Sequence, residues 1–374
     1  MISTPRPPTP NEPVEPVEPV EPVEPVETFH SREELEGVLA DLVGNLQISI
    51  VQKKSLLSML ATIETFAREG TPTGDLKIAD AALSEMSEAF KVFRPYRQIR
   101  KATMFGSART SEDDPVYFLA REIAAKLALS NWMVVTGAGP GIMAAGIEGA
   151  GRDRSFGVTI ELPHEEAPNP FIAQDPKLMH MRYFFTRKLM LIKESHAYIA
   201  LPGGFGTQDE CFELLTLLQT GKAEPAPLVL VDTPGGTYWK HWKEFLLKEA
   251  VVPGWISPED LFLFRIASTP DEVTDEIFSF YRNYHSCRWV GNLLVIRVKR
   301  SLSDKVLDEL NHRFIDIVVS GKIHSTAPLP PERAGHDFLE LPRIALRFDK
   351  HHYARLRLMI DFINEVSLDE HSSV

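Results

Sequence analysis

The feature that most constrains this chain is a recurring order of short apolar runs, glycine-bearing loops and helical stretches between residues 98 and 285. Lys101 to Phe105, Trp132 to Val135, Ser155 to Ile160, Ala197 to Leu201 and Leu228 to Val231 each read as a brief, mostly apolar strand. Helical stretches separate them, around Pro115 to Leu129, Ile142 to Ala150, Phe184 to Lys193, Gln208 to Gln219 and Tyr238 to Lys248. Strands with no polar alternation must be covered on both faces, and the intervening helices supply that cover. The prediction is an α/β fold, a doubly wound, Rossmann-like parallel sheet. Ligands of such sheets sit beyond the carboxyl ends of the strands, so the loops after Phe105, Val135 and Leu201 are where chemistry is expected.

The flanks read differently. Residues 13–27 repeat Pro-Val-Glu five times, and nine of the chain's 28 prolines precede residue 26. Proline lacks the amide donor that helices and central strands need, and repeated Glu keeps the chain solvated, so residues 1–29 are expected to be a disordered, extended tail. Residues 30–97 read as a helical extension. Ser31 with Glu34 resembles a capping box ahead of Leu35, Val38, Leu39 and Leu42, Gly44 interrupts the pattern, and helices follow near Lys53 to Arg68 and Asp80 to Phe93. Residues 286–374 read as a small, self-contained α/β domain. Its expected parts are a strand from Asn292 to Val298, a helix from Ser303 to Val319 closed by Gly321, a strand from Arg343 to Phe348 and a helix ending near Asn364. The proline-bearing loop from Ser325 to Leu341 is long enough to cover a site, but the unit is read as an ordinary packing or dimerising module.

Charge and cysteine content narrow the function. Acidic residues outnumber basic ones 52 to 40, a net −12, of which the first 27 residues carry −5. Such a body lacks the broad cationic footprint that nucleic acid or an anionic membrane surface requires. Cys211 and Cys287 are the only cysteines, too few for a disulfide framework or a Cys-rich zinc site, and fit a reducing compartment. Nowhere do about 18 unbroken apolar residues suggest a membrane span. A cytoplasmic protein with no nucleic-acid or membrane partner is expected. The 12 histidines show no HExxH-type spacing, so no metal is assigned, and His351-His352 is read as an exposed pair.

Each of the three loops offers donors to an anion. After Phe105 come Gly106, Ser107, Ala108 and Arg109, a hydroxyl and a guanidinium beside flexible backbone. After Val135 come Thr136, Gly137, Ala138, Gly139, Pro140 and Gly141, then a helix whose first amides attract phosphate. That loop is GxGxG and not GxGxxG, because Ile142 fills the last slot, which weakens a dinucleotide reading even with Glu161 downstream. After Leu201 comes PGGFGTQDE, from Pro202 to Glu210, the strongest signal in the chain. Gly203, Gly204 and Gly206 permit close approach of a ligand to the backbone, and Thr207 is suited to cap the next helix. Arg187 and Lys188 are adjacent cations on an otherwise apolar helical stretch upstream and call for anionic partners, with Glu210 or a substrate phosphate as candidates.

GSAR, TGAGPGIM, FFTRK and PGGFGTQDE in this order resemble the LOG ("lonely guy") family of phosphoribohydrolases, whose older label is lysine decarboxylase; the likeness covers residues 98–285. Its diagnostic PGGxGTxxE motif fits Pro202 to Glu210 without departure, and Arg187 lies 23 residues before Glu210. The resemblance implies that Arg187 and Glu210 form the catalytic pair. It also implies that Lys188, the backbone from Gly204 to Thr207, Asp209 and Thr216 contact a nucleoside 5′-monophosphate. It implies hydrolysis of the N-glycosidic bond to free base and ribose 5-phosphate, on AMP-like or cytokinin riboside monophosphates. A homodimer or higher homo-oligomer is expected, with the apolar helical extension as contact surface. The added length points to one of the longer, bacterial-type branches.

The reaction also follows from the residues. Departure of a base builds positive charge on the ribose, and a carboxylate beside the sugar is what that transition state requires. Glu210 supplies it, as cation stabiliser, base or nucleophile. Arg187 is too weak an acid to protonate the leaving base and is assigned to holding Glu210 ionised. The alternative is a carrier or sensor of the same fold that holds a nucleotide without turnover. No cofactor is assigned: pyridoxal phosphate would fall to Lys188, with no acidic partner for its ring nitrogen in view, and the NAD fingerprint is interrupted.

Overall fold

The computed structural model describes Gly37 and residues 48–161 and 168–369. The expected tail, the capping box at Ser31 and Glu34 and the apolar spacing to Leu42 lie outside the described residues. Helix α1, Ile50–Arg68, starts at a capping box in which Ser49 and Gln52 exchange hydrogen bonds, and it buries none of its side chains. Helix α2, Thr73–Phe93, ends against Pro95 and buries Ala89 and Phe93.

The main body alternates strand and helix: β1 (Lys101–Phe105), α3 (Pro115–Leu129), β2 (Met133–Thr136), α4 (Ile142–Ala150), β3 (Ser155–Ile160), β4 (Leu178–Met181), α5 (Phe184–Lys193), β5 (Ala197–Ala200), α6 (Phe205–Gln219), β6 (Leu228–Val231), α7 (Tyr238–Leu246), β7 (Phe264–Ala267) and α8 (Pro270–Phe280). All seven strands are parallel, in the order β4-β3-β2-β1-β5-β6-β7. From β1 the chain winds to one edge through β2, β3 and β4, then returns to the other side of β1 as β5. The reversal falls between β1 and β5, and the crevice beyond their carboxyl ends is the expected ligand position.

Alternation along the strands divides the core. Ala102, Met104, Val134, Ile199 and Val229 join the apolar cluster on one face, while Phe105, Val135, Tyr198, Ala200 and Leu228 join the cluster on the other. Polar atoms inside find partners: buried Lys101 donates its Nζ to the carbonyls of Tyr96 and Ile99, and the Thr103 hydroxyl donates to the Leu191 carbonyl at 2.7 Å.

Two strands of this sheet escaped the sequence reading. β4 and β7 are the edges, four residues each, and His180 and Arg265 break their apolar runs. α6 begins at Phe205, three residues before the expected start, because a glycine N-cap needs no side chain to turn the backbone.

After α8 the chain forms β8 (Tyr284–Val290), β9 (Leu293–Val298), α9 (Asp304–Arg313), β10 (Val318–Thr326), α10 (Pro330–Gly335), β11 (Arg343–Phe348) and α11 (Tyr353–Asp369), with an antiparallel sheet ordered β10-β11-β9-β8. The expected helix to Val319 stops at Arg313: Ile315–Ile317 forms a single 3-10 turn, and the β-branched Val318 and Val319 open β10. Gly321 therefore lies within β10, at φ +78°, and not at a helix end. α11 continues past Asn364. The unit read as self-contained shares one apolar cluster with the parallel sheet, in which Ile296, Leu346 and Ile360 sit with Ala102 and Ile199. The loop before β11 is pinned inward by buried Glu332, which accepts from Arg297 and pairs with Arg343 at 2.8 Å.

Candidate active site

Ser107 ties the three glycine loops together. Its amide donates to the Pro202 carbonyl at 3.2 Å, its carbonyl accepts from the Ile142 amide at 3.1 Å, and its hydroxyl accepts from the Arg109 amide at 3.1 Å. Gly141 is required at this knot: its φ is +64°, and a Cβ there would stand 2.3 Å from the Ser107 carbonyl oxygen. Around the knot lies a cavity of about 810 Å³ at the switch point between β1 and β5. The structure brings Ser107, Arg109, Gly137, Arg187, Gly203, Gly204, Gly206, Thr207 and Glu210 to its walls.

Gly204 and Gly206 stand exposed at the mouth of the cavity. A Cβ at either would meet no protein atom within 4 Å, so the fold's own packing does not demand glycine there. What glycine keeps at these two positions is room at the first turn of α6. Gly204 is the N-cap with no side-chain hydrogen bond, and the first helical bond runs from the Gln208 amide to the Gly204 carbonyl. The amides of Phe205, Gly206 and Thr207 precede that ladder and form an anion-seeking helix start. Thr207, expected as the cap, instead lies in the first turn.

Arg187 on α5 and Glu210 on α6 converge on the same cavity, Nη1 to Oε1 3.8 Å apart. Arg187 is oriented by its Nε, which donates to the Val158 carbonyl at 3.0 Å, and Gly137 makes room for it, since a Cβ there would lie 2.2 Å from Nη2. The Glu210 side chain is 8% exposed, and its Oε2 is buried with no hydrogen-bond partner. Burial pushes the Glu210 carboxyl up to about 7, against the opposing pull of Arg187 and then Lys188. Arg187 draws the carboxyl toward its ionised form, and desolvation outweighs that pull.

Other assigned residues lie elsewhere. Lys188 pairs with Asp209 at 2.6 Å and Glu213 at 2.9 Å, bracing α5 against α6. Burial draws its pKa down, but hydrogen bonds to Asp209 and Glu213 outweigh that and raise it. Neither Lys188 nor Asp209 lines the cavity. Thr216 is exposed, donates to the Phe212 carbonyl and faces a separate hollow with Gln219 and Leu246. Gly139 also stays outside; its carbonyl accepts from Asn169 Nδ2 at 3.0 Å, which fixes the loop behind the cavity, with Ala138 at φ +60°. Glu161 is exposed.

The sequence reading assigned no role to Met143, Leu191, Gln208 and Phe205, which also line the cavity. It also missed Tyr238, whose hydroxyl donates to the Gly203 carbonyl and accepts from Gln208 Nε2. Tyr238 sits outside any motif, so only the register of β6 beside β5 brings it there. Phe205, at 96% exposure, was legible as the apolar member of a glycine run. Among the described residues no group of His, Cys, Asp and Glu is placed to hold a metal ion.

Fold and site together define a Rossmann-like α/β domain in which one glycine-lined cavity also holds a buried carboxyl raised toward neutrality. Residues 141–277 match a family model described as possible lysine decarboxylase. The chain is 35% identical over 99 residues to a probable cytokinin riboside 5′-monophosphate phosphoribohydrolase of Oryza sativa subsp. japonica, covering 26% of this chain and 44% of that one. It is 36% identical over 91 residues to a cytokinin riboside 5′-monophosphate phosphoribohydrolase of Arabidopsis thaliana, covering 24% and 40%. A pyrimidine/purine nucleotide 5′-monophosphate nucleosidase of Escherichia coli K12 is 30% identical over 144 residues, covering 35% and 31%. The chain thus spans less than half the length of these relatives. The molybdenum cofactor binding protein of Rippkaea orientalis matches 48% of this chain and 96% of its own at 20% identity, with a TM-score of 0.35, too low to carry an argument.

Proposed function

We propose that the chain hydrolyses the N-glycosidic bond of nucleoside 5′-monophosphates to free base and ribose 5-phosphate. The observation that carries this reading is the poised Glu210 carboxyl opposite open glycines at a helix start, within one cavity. The 5′-phosphate rests on the first amides of α6 and on Arg109, which places the ribose against Glu210. As the bond from C1′ to nitrogen breaks, its electron pair leaves with the base, which takes a proton from solvent. Ionised Glu210 steadies the positive ribose, and the water that adds at C1′ gives its proton to that carboxylate. Arg187 favours the ionised form and orients phosphate or base.

The names of the relatives support this substrate class, and their plant and bacterial members bracket the base, cytokinin or ordinary purine and pyrimidine. Lysine decarboxylation is disfavoured because Lys188, held by two carboxylates and raised in pKa, is a poor Schiff-base amine. The same reading has the chain act as a homo-oligomer: Ile50, Val51, Leu57, Met59 and Ile63 on α1 are exposed, a surface suited to a second copy. A monomeric mass in solution overturns that part. Buried, free Cys211 and Cys287 suit a reducing, cytoplasmic setting. The test is incubation with a panel of mononucleotides, including AMP and isopentenyladenosine monophosphate, with chromatography of the released bases. Release of base by the native chain and none by Glu210→Ala is expected; tight binding with no release defines a carrier.

A further inference from the structure

The parallel sheet has a second large cavity, at the opposite ends of the same strands. It encloses about 980 Å³ and meets Arg100 and His196, which immediately precede β1 and β5, and Ala226, two residues before β6, while β8 closes it from the C-terminal sheet. From Arg100 to Gly106 the extended chain covers roughly 20 Å, so the two cavities are separate. α5 faces both: Arg187 and Leu191 line the first, Leu189 and Lys193 the second.

The charges of this cavity are unevenly matched. Arg288 and Arg297 have Asp337 and Glu332 as partners, Lys193 has Glu194, and Glu213 is held by Lys188. Arg97, Arg100 and Lys222 form no ion pair among the described residues, against Glu224 as the one unpaired carboxylate of the lining. Arg100 is the centre of the imbalance. Its guanidinium stacks on Tyr281, 3.5 Å from the ring centroid, and its Nη1 is buried with no hydrogen-bond partner. A stacked guanidinium keeps its planar edge available, and an orphaned buried donor is costly unless something accepts from it. His196 and His285 lie beside it and are held neutral, down to about 3 and about 4, by burial and then by Arg100. Neither histidine competes as a further cation, and His196, whose Nδ1 accepts from the Lys101 amide, keeps its Nε2–H for an acceptor.

We infer that this cavity binds a small, multiply charged oxyanion, phosphate- or carboxylate-bearing, which accepts from Arg100 and is neutralised with Arg97 and Lys222. The site lies apart from the proposed hydrolytic centre and stands whether or not that reading holds.

The test is calorimetric titration of the full chain with pyrophosphate and, separately, citrate, and the tighter probe names the head group. Arg100→Gln and Lys222→Gln are each expected to weaken binding about tenfold or more, whereas Arg109→Gln, in the first cavity, leaves it unchanged. Should Arg100→Gln lose its cooperative thermal transition, the exposed Lys222→Gln decides. Absence of binding by both probes, or weakening by Arg109→Gln alone, overturns the inference.

Discussion

Arg187 Nη1 lies 3.8 Å from Glu210 Oε1, near enough for attraction and too far for a hydrogen bond. The pair is held apart by separate anchors, the Val158 carbonyl for Arg187 and the buried face of α6 for Glu210. The result is a carboxyl at about 7 beside a cation, a combination that a tight salt bridge would abolish.

Activity should follow the ionisation of Glu210. We expect kcat/KM to rise with pH through a midpoint near 7 and then level, because the carboxylate is the working form. Arg187→Met removes the attraction that favours ionisation and should move that midpoint upward. A profile that falls through 7 instead would assign Glu210 as a proton donor.

Glu210→Gln should lower hydrolysis by about 10²- to 10⁴-fold, the usual worth of a positioned acid or base. Equilibrium binding of AMP, read by calorimetry, should stay within a few-fold of the parent. Equal loss of binding and turnover would show that Glu210 serves the ground state.

The same substitution makes a stability prediction. Glu210 holds its proton more tightly folded than unfolded, so its contribution is fully present below about 4.5 and is lost as pH rises through about 7. Melting curves of Glu210→Gln and the parent should therefore agree near pH 4.5 and diverge in favour of Gln toward pH 8, by on the order of 3 kcal/mol.

Gly206→Ala separates folding from binding. The added Cβ meets no protein atom and suits a helix, so stability should rise by a few tenths to about 1 kcal/mol. Affinity for AMP should fall, because the methyl group enters the cradle. A rise in stability with unchanged affinity would mean that the phosphate does not sit on α6.

Lys188→Gln examines the strut. Removing the cation leaves Asp209 and Glu213 without it, and a loss of about 1 kcal/mol is expected, modest because Asp209 is 59% exposed. AMP affinity should change less than twofold; a larger change would return Lys188 to the nucleotide.

The interior strands, the three glycine-bearing loops and the spacing of Arg187 from Glu210 were legible because each is written locally. Apolar runs such as Leu228 to Val231 need burial on both faces, and PGGFGTQDE concentrates residues that a plain turn does not use. The edges β4 and β7 were not legible, since one-sided burial tolerates His180 and Arg265. The segment after Arg313 misled for a different reason: helical spacing and a β-branched run overlapped, and pairing of β10 with β11 decided for the strand.

By itself the sequence determined a parallel, doubly wound sheet and the chemical cast of its loops, because periodicity and glycine placement act within a few residues of themselves. Only the tertiary structure decided which of those residues meet. It turned Lys188 toward Asp209 and Glu213, set Thr216 on another face, brought Tyr238 under Gly203, and withdrew Glu210 far enough from water to titrate near neutrality. Burial and the distance between charges are properties of packing, and packing is settled by elements far apart in the chain.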